Sequence, residues 1–149
     1  MRGTIGTPLG PVGLDGTEAI TALHWGRAGT LTEGPLFDAA EEQIGAYFEG
    51  ARRAFDLPLA HGTAGLTGRL LDALCAIPFG QTRTYGDLAR ELGAPAQAIG
   101  QACGANPLPL LIPCHRVLSA RGLGGYSGAG GVETKVRLLR HEGAASLLL

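Results

Sequence analysis

The stretch PCHRV, residues 113–117, places a cysteine, a histidine and an arginine next to one another at the end of an apolar run. A thiolate is a strong nucleophile, and a neighbouring imidazole or guanidinium favours it over the thiol. Successive side chains of an extended chain point to opposite faces, so we expect His115 to assist Cys114 through a bent backbone or an intervening water. Cys114 is therefore a candidate nucleophile.

The other two cysteines, Cys75 and Cys103, lie among apolar neighbours in segments predicted to be helical, where a cysteine is usually a small buried hydrophobic residue. An odd number of cysteines without ligand spacing fits a reducing compartment better than a disulfide framework. The four histidines show no ligand spacing with the cysteines. We therefore expect no metal site.

Three predicted helices precede the cysteine. The first shows apolar residues at helical spacing before a proline that ends it: Leu66, Leu70, Leu71 and Leu74, then Pro78. The second begins at a capping box formed by Thr84 and Asp87 and ends at Gly93. The third is short and ends at the turn Asn106-Pro107. The last two helices have the outline of a helix-turn-helix, which helical hairpins that bind nothing share.

The segment LPLLIP, residues 108–113, is predicted to be a buried strand or an extended stretch that delivers Cys114, and VETKVRLLRHEG is predicted to be a final helix ending at Gly143. In the first half, a strand, a turn at Asp15-Gly16 and a second strand ending near Trp25 precede a helix. That helix shows apolar residues at helical spacing: Phe37, Ala40, Ile44, Tyr47 and Phe48. This half is predicted to be a small α+β unit.

The segment DLPLAHGTAG is rich in Pro and Gly and is predicted to connect two domains, residues 1–60 and residues 61–149. Residues 1–60 carry four basic and eight acidic side chains, whereas residues 61–149 carry eight basic and five acidic ones. An anionic polymer is therefore expected to bind the second domain.

The net charge of −1 argues against a protein that coats nucleic acid through charge alone. The chain is 45% apolar and 17% charged, which is typical of a folded globular protein. No apolar stretch has the length of a signal peptide or a membrane span, so we expect a cytoplasmic protein without membrane contact.

Motifs between about Ile77 and Gly143 resemble the O6-alkylguanine-DNA alkyltransferase family, also called the methylated-DNA-protein-cysteine methyltransferases. They stand in the order found in the family: IPFGQTRTYGDLARELG, NPLPLLIPCHRVL, GGYSG and KVRLLRHEG. The Pro-Cys-His-Arg-Val core is highly specific. The first half is similar in outline, and its segment RRAFDLPLA also resembles bacterial members.

The resemblance implies an α+β fold, with an N-terminal ribonuclease-H-like α/β domain and a helical C-terminal domain that carries a helix-turn-helix, winged-helix-like DNA-binding motif. It implies a DNA repair protein that flips out O6-alkylguanine and transfers the alkyl group irreversibly to its own cysteine, without a cofactor. It implies a methylated-DNA-[protein]-cysteine S-methyltransferase of which each molecule acts once, because no step regenerates the thiol from a thioether.

The same resemblance implies roles for individual residues. Cys114 is the nucleophile, a water links it to His115, and Glu142 orients His115. Asn106 braces the turn that holds the cysteine. The leaving guanine develops negative charge and needs nearby donors. The implied alkylguanine pocket consists of Tyr85, Pro109, Val117, Tyr126, Ser127 and Lys135.

The implied partner is double-stranded DNA that contains O6-alkylguanine, bound in the minor groove by the second helix of the helix-turn-helix. Ala102 is a small residue that suits close approach of this helix. Most family members have an arginine where this chain has Gln97, and glutamine brings no charge, so we expect weaker base extrusion or weaker DNA affinity. DNA contacts are implied for Thr84, Gln97, Ala98, Gly100 and Arg116.

We expect a monomer that associates with the nucleoid when bound to DNA, and cooperative binding along DNA stays open. One alternative function is a lesion-binding protein that flags alkylated guanine for another pathway, as the family's alkyltransferase-like relatives do. Those relatives lack the cysteine, which argues against this function, whereas the glutamine at position 97 keeps it open. A second alternative, an unrelated thiol hydrolase, is disfavoured by the extent of the match.

Overall fold

The structure is a computed structural model that describes residues 3–125 and 131–144. Helices and small sheets form two units, Met1–Gly62 and Thr63–Leu149, and the boundary lies inside the segment DLPLAHGTAG. Among the described residues, no helix is both long enough and apolar enough to cross a membrane.

The first unit contains a three-stranded antiparallel sheet and a helix. Strands β1 (Thr4–Ile5), β2 (Val12–Gly16) and β3 (Ile20–Trp25) are hydrogen-bonded in the order β1-β2-β3. Helix α1 (Pro35–Phe48) begins with a proline, whose fixed φ and missing N–H suit the first helical position. Apolar side chains of the strands and the helix are fully buried: Val12, Leu14, Ile20, Ala40, Ile44 and Tyr47.

The predicted turn at Asp15-Gly16 is wrong, because both residues belong to β2 and residues 17–19 connect it to β3. The Asp15 carboxylate accepts a hydrogen bond from the Thr30 N–H at 2.9 Å and lies 2.8 Å from His24 Nε2. These contacts hold Asp15 within the strand. The register shifts between Asp15 and Gly16, and Gly16 has a φ of 147°, so the Asp-Gly pair forms a bulge.

The second unit is mainly helical. Its helices are α2 (Gly65–Leu74), α3 (Tyr85–Leu92), α4 (Ala96–Gly104) and α5 (Val132–Glu142). Helices α2, α3 and α4 pack against one another. The inward faces of these three helices carry fully buried apolar side chains: Leu70, Leu71, Leu74, Leu88 and Ile99.

Both predicted ends of α3 are confirmed. The Thr84 hydroxyl accepts a hydrogen bond from the Asp87 N–H, and the Asp87 carboxylate accepts one from the Thr84 N–H, each at 3.0 Å. Gly93 ends the helix in the left-handed conformation with a φ of 66°. Local capping therefore determines where α3 begins and ends, and α4 starts three residues after Gly93.

The segment LPLLIP is buried as predicted, but it forms a turn and not a strand. The Ile112 N–H donates to the Leu108 carbonyl at 2.8 Å, and Leu110 has a φ of 74°, which is unusual for a residue other than glycine. Pro109 and Pro113 lack the N–H that a strand ladder needs. A tight apolar turn therefore directly precedes Cys114.

Two short strands connect the segment after the cysteine to the start of α3. Strands β4 (Arg83–Thr84) and β5 (Val117–Leu118) pair in parallel. A 3-10 helix, Cys114–Arg116, lies between the LPLLIP turn and β5. The backbone at the cysteine is therefore held on both sides, by the turn before it and by the strand pair after it.

Candidate active site

Asn106 spans the turn that precedes the cysteine. Its Nδ2 donates to the Ile112 carbonyl at 3.0 Å, and its Oδ1 accepts from the Leu108 N–H at 2.9 Å. Asn106 is buried, so loss of its Oδ1 hydrogen bond would leave the Leu108 N–H unpaired in the interior. The side chain therefore ties the two ends of the turn together.

Cys114 opens the 3-10 helix and has 4% of its surface exposed. Its N–H donates to the Ile112 carbonyl at 2.8 Å, the same carbonyl that Asn106 binds. The 3-10 helix bends the backbone at this point, so Cys114 and His115 are not on opposite faces of an extended strand. A bent backbone is one of the two arrangements that the sequence left open.

The His115 ring is fully buried, and its Nε2 lies 2.8 Å from Oε2 of Glu142 on α5. An ionised carboxylate only accepts, so Nε2 carries the proton and Nδ1 is the nitrogen that can accept one. Nδ1 is buried and has no hydrogen-bond partner among the described residues. The geometry therefore presents a histidine whose second nitrogen is able to act as a base.

Arg116 binds the same carboxylate. Its Nε donates to Glu142 Oε1 at 2.8 Å, its Nη2 donates to Oε2 at 2.9 Å, and its Nη1 donates to the Ile77 carbonyl at 2.6 Å. The Arg116 side chain is 8% exposed. This position differs from the predicted DNA contact, because a buried guanidinium enclosed by Glu142 and Ile77 is not presented to a phosphate.

Burial and hydrogen bonding set the charges of this group. Burial raises the pKa of the Glu142 carboxyl, but hydrogen bonds from His115 and Arg116 outweigh burial and leave that pKa below its ordinary value. Burial lowers the pKa of the His115 imidazole by more than Glu142 raises it. At pH 7, Glu142 is therefore ionised and His115 is neutral.

Lys135 of α5 is fully buried, and its ammonium donates to two backbone carbonyls, that of Val117 at 2.6 Å and that of Gly125 at 2.9 Å. Burial lowers the pKa of Lys135 to about 8, although negative charge at Cys114 and Cys103 acts to raise it. Lys135 therefore joins strand β5 to the backbone at Gly125.

Tyr85, the first residue of α3, is partly buried, and its ring centre lies 5.9 Å from the Lys135 ammonium. Burial raises the pKa of the Tyr85 hydroxyl, and negative charge at Cys103 and Cys114 raises it further, while a hydrogen bond from the Gly125 backbone lowers it. The hydroxyl is therefore protonated at pH 7 and can donate a hydrogen bond.

The arrangement has the parts of an activated thiol. Cys114 provides the sulfur, His115 a neutral base and Glu142 the carboxylate that orients the base. Negative charge at Cys114 raises the pKa values of both the Tyr85 hydroxyl and the Lys135 ammonium, and these two donors can stabilise negative charge on a leaving group. In the described part of the chain, no cluster of three His, Cys, Asp or Glu side chains could hold a metal ion.

Residues 66–144 match the family model described as "6-O-methylguanine DNA methyltransferase, DNA binding domain". This match spans more than half of the chain and includes Asn106, Cys114, His115 and Glu142. The chain belongs to the O6-methylguanine DNA methyltransferase family.

Similarity to this methyltransferase family extends over both units. A methylated-DNA--protein-cysteine methyltransferase of Mycolicibacterium paratuberculosis is 39% identical, over 98% of this chain and 96% of the relative. A DNA base-flipping protein of Thermus thermophilus is 42% identical, over 93% of this chain and 97% of the relative. A crystal structure of Mycobacterium tuberculosis OGT in complex with DNA has a TM-score of 0.83 and 38% identity, over 97% of this chain and 96% of that chain.

In this methyltransferase-family chain, most residues predicted to contact DNA lie on α4. Gln97 is exposed, and Ala98 and Gly100 are partly exposed. A Cβ on Gly100 would meet no atom within 4 Å, so this surface is open to close approach. Ala102 was grouped with these residues from the sequence, but it is 4% exposed because its place in the helix turns it toward the core. The half-buried hydroxyl of Thr84 caps α3.

The predicted pocket residues Pro109 and Val117 are buried in the turn and in β5. Tyr126 and Ser127 lie outside the described residues.

Sequence reasoning missed two positions near the site. The Ile77 carbonyl binds Arg116, and no side-chain pattern indicates a backbone acceptor. Gly124 has a φ of 70°, and a Cβ there would lie 2.9 Å from Cε2 of Tyr85, so glycine is required. The signal for Gly124 was the glycine pair at 124–125, directly before the predicted pocket tyrosine.

Proposed function

We propose that this protein repairs alkylated DNA by transferring the alkyl group from O6 of guanine to Sγ of Cys114. The observation that carries this proposal is the buried His115–Glu142 hydrogen bond directly after the cysteine, in a chain of the O6-methylguanine DNA methyltransferase family. A neutral, oriented histidine is what a buried thiol needs to become a nucleophile.

The proposed steps follow from these groups. His115 takes the thiol proton of Cys114 through a water molecule, which leaves a thiolate. The sulfur attacks the alkyl carbon in line with the C–O6 bond, the S–C bond forms, and the electron pair of the broken C–O6 bond stays on guanine. Guanine then takes up one proton from its surroundings, which balances the proton that His115 accepted from the thiol and releases again. The sulfur of a thioether is a poor leaving group, so each molecule reacts once.

The pocket proposed for the alkylated base uses donors where guanine gains negative charge. The Tyr85 hydroxyl and Ser127 donate toward the base, and Pro109 and Tyr126 form its walls. Lys135 and Val117 complete the pocket. The Val117 carbonyl, which accepts from Lys135 at 2.6 Å, keeps a second lone pair for the guanine amino group.

The carbon to be attacked lies inside a stacked duplex, so the base must be flipped out before transfer. We propose that α3 and α4 form a winged-helix-like helix-turn-helix and that α4 enters the minor groove. The exposed residues of α4 support this, because they are small or uncharged and allow the backbone to approach the DNA: Ala96, Gln97, Gln101 and Gly104. Gln97 then occupies the space of the extruded base.

We propose the domain organisation and setting as well. Residues 1–60 form a ribonuclease-H-like domain and residues 61–149 form the alkyltransferase domain. The three-stranded antiparallel sheet of the first unit, followed by α1, supports the first assignment. The protein acts as a monomer in the cytoplasm and associates with the nucleoid when it binds DNA.

Intact-protein mass spectrometry after incubation with duplex DNA that contains O6-methylguanine tests this function. We expect each molecule to gain one methyl group on Cys114 and to transfer no more when DNA is in excess. The control variant Cys114→Ser should bind the same DNA and stay unmodified. Tight binding of the wild-type protein without a mass change would instead assign a lesion-binding protein.

A further inference from the structure

Arg116 is a buried charge at the centre of the site that none of the proposed steps uses. It shares one carboxylate with His115, because Oε2 of Glu142 lies 2.8 Å from His115 Nε2 and 2.9 Å from Arg116 Nη2. Oε1 of Glu142 accepts from Arg116 Nε at 2.8 Å. A single negative charge therefore serves two partners.

The guanidinium of Arg116 is also held by the linker between α2 and α3. Nη1 donates to the Ile77 carbonyl at 2.6 Å, and the Phe79 ring centre lies 6.0 Å from Cζ. The Glu142 side chain is not exposed at all. Because water does not screen this pair, each charge must be compensated by its protein neighbours.

The sum of the charges decides where a proton resides. Ionised Glu142 and Arg116 add to zero, so a neutral His115 leaves this group of three side chains without a net charge. Without Arg116, the carboxylate would be an uncompensated negative charge, and protonation of His115 would neutralise it. A protonated His115 has no lone pair left to accept the thiol proton of Cys114.

We propose that Arg116 is a positioning residue that neutralises Glu142 and holds both of its oxygens, so that Glu142 orients His115 without drawing a proton onto it. The catalytic use of a neutral His115 rests on the proposed alkyl transfer. The effect of Arg116 on the protonation of His115 does not depend on that transfer. The charged groups that face His115 are Glu142 and Lys135 of α5 and Arg116 of the 3-10 helix. Of the two cations, Arg116 is the one bonded to Glu142.

Nuclear magnetic resonance of protein labelled with ¹⁵N-histidine reads the protonation of His115 without any transfer reaction. We expect wild-type His115 to be neutral at pH 7, with its proton on Nε2. In Arg116→Met the titration midpoint of His115 should rise above pH 7, so that both ring nitrogens carry protons at that pH. A wild-type-like, neutral His115 in Arg116→Met would overturn the proposal.

Two further variants separate charge compensation from general damage to the fold. Arg116→Met combined with Glu142→Gln removes both charges and should return His115 to the neutral form. Arg69→Met, the same replacement at an exposed arginine of the same unit, should leave His115 as in the wild type. A protonated His115 in the double variant would also overturn the proposal.

If Arg116→Met does not fold, the stability of the double variant tests the proposal, measured by denaturant unfolding. The double variant should fold, because neither charge of the Arg116–Glu142 pair is left without its partner. An equally unfolded double variant counts against the proposal. Where Arg116→Met folds, its transfer rate at pH 7 should fall and should recover as the pH is raised. Absence of transfer by the wild-type protein would reject the proposed function and leave the resonance result intact.

Discussion

Both units contain a histidine, a carboxylate and an arginine that are hydrogen-bonded to one another. In the first unit these residues are Asp15, His24 and Arg27, which we call the surface triad. His24 Nε2 lies 2.8 Å from Asp15 Oδ2, and Arg27 Nη2 lies 3.0 Å from His24 Nδ1. The His24 and Asp15 side chains are 20% and 30% exposed. Arg27 of the surface triad therefore donates a hydrogen bond to the ring nitrogen of His24 that would otherwise be open to accept a proton.

The buried triad of His115, Arg116 and Glu142 has the same 2.8 Å distance between histidine and carboxylate but a different connection. Arg116 binds the carboxylate, and Nδ1 of His115 has no partner among the described residues. Neither His115 nor Glu142 is exposed, and charges away from water interact more strongly. The buried triad is suited to base chemistry because it lies away from water and because its arginine binds the carboxylate and not the histidine. Residue type does not explain the difference, since both triads contain a histidine, a carboxylate and an arginine.

Removing the two histidines tests this difference where the expected effect is largest. His115→Gln should lower the single-turnover rate of methyl transfer from O6-methylguanine DNA by about 10²–10⁴-fold, because the thiol loses its base. His24→Gln should leave the rate unchanged. Rapid-quench measurements on both variants check this, and equal losses would mean that the two triads do not differ in function.

Neutralising the two carboxylates tests the difference in stability. Glu142→Gln should reduce the free energy of unfolding by about 3–5 kcal/mol, because it leaves the Arg116 charge buried without its partner. Asp15→Asn, at the partly exposed contact between His24 and Asp15, should cost about 0.2–1 kcal/mol. Chemical denaturation of both variants measures these costs. A larger loss for Asp15→Asn would contradict the contrast between the two triads.

Acidification should act on the buried triad. Burial lowers the pKa of His115 below its ordinary value of 6.5, so near and below this pH the unfolded chain binds a proton that the folded chain does not, and stability falls as the pH drops. The lowered pKa of Glu142 adds a loss below its ordinary value of 4.5. His115→Gln should therefore flatten the stability profile between pH 7 and pH 5, by at most about 1.4 kcal/mol per pH unit.

Denaturation at each pH gives this profile directly. A variant slope as steep as that of the wild type would show that His115 does not titrate between the folded and unfolded states as stated.

The smallest effect is expected for the arginine of the surface triad. Arg27→Met should change the free energy of unfolding by about 0.5 kcal/mol or less, because the side chain is exposed, and it should leave methyl transfer unchanged. Thermal unfolding and the mass assay check both statements. A marked loss of transfer would assign the surface triad a role that its solvent exposure does not suggest.

Sequence patterns predicted best those features that depend on near neighbours along the chain. The capping box at Thr84 and the left-handed Gly93 set both ends of α3, because a few adjacent hydrogen bonds and one φ angle decide them. The predicted turn at Asp15-Gly16 is wrong because contacts with residues distant in the sequence decide the conformation there. Distant contacts with Thr30 and His24 hold Asp15 in a strand, and these contacts outweigh local turn preference.

The residue types of the site were readable from the sequence, but their connections were not. The resemblance singled out Cys114, His115 and Glu142, yet Arg116 was expected to contact DNA. Arg116 and Glu142 are separated by 26 residues, and their contact exists because α5 packs beside the 3-10 helix. No spacing rule reports such a contact.

The sequence by itself indicated Cys114 as the candidate nucleophile and determined both ends of α3 and the family, since these follow from residue identity and local backbone preference. Only the tertiary structure decided which partners share the Glu142 carboxylate and which nitrogen of His115 keeps a lone pair for a proton. The physical reason is that charge and protonation depend on burial and on neighbours brought together by packing, which are properties of the folded chain and not of any short segment.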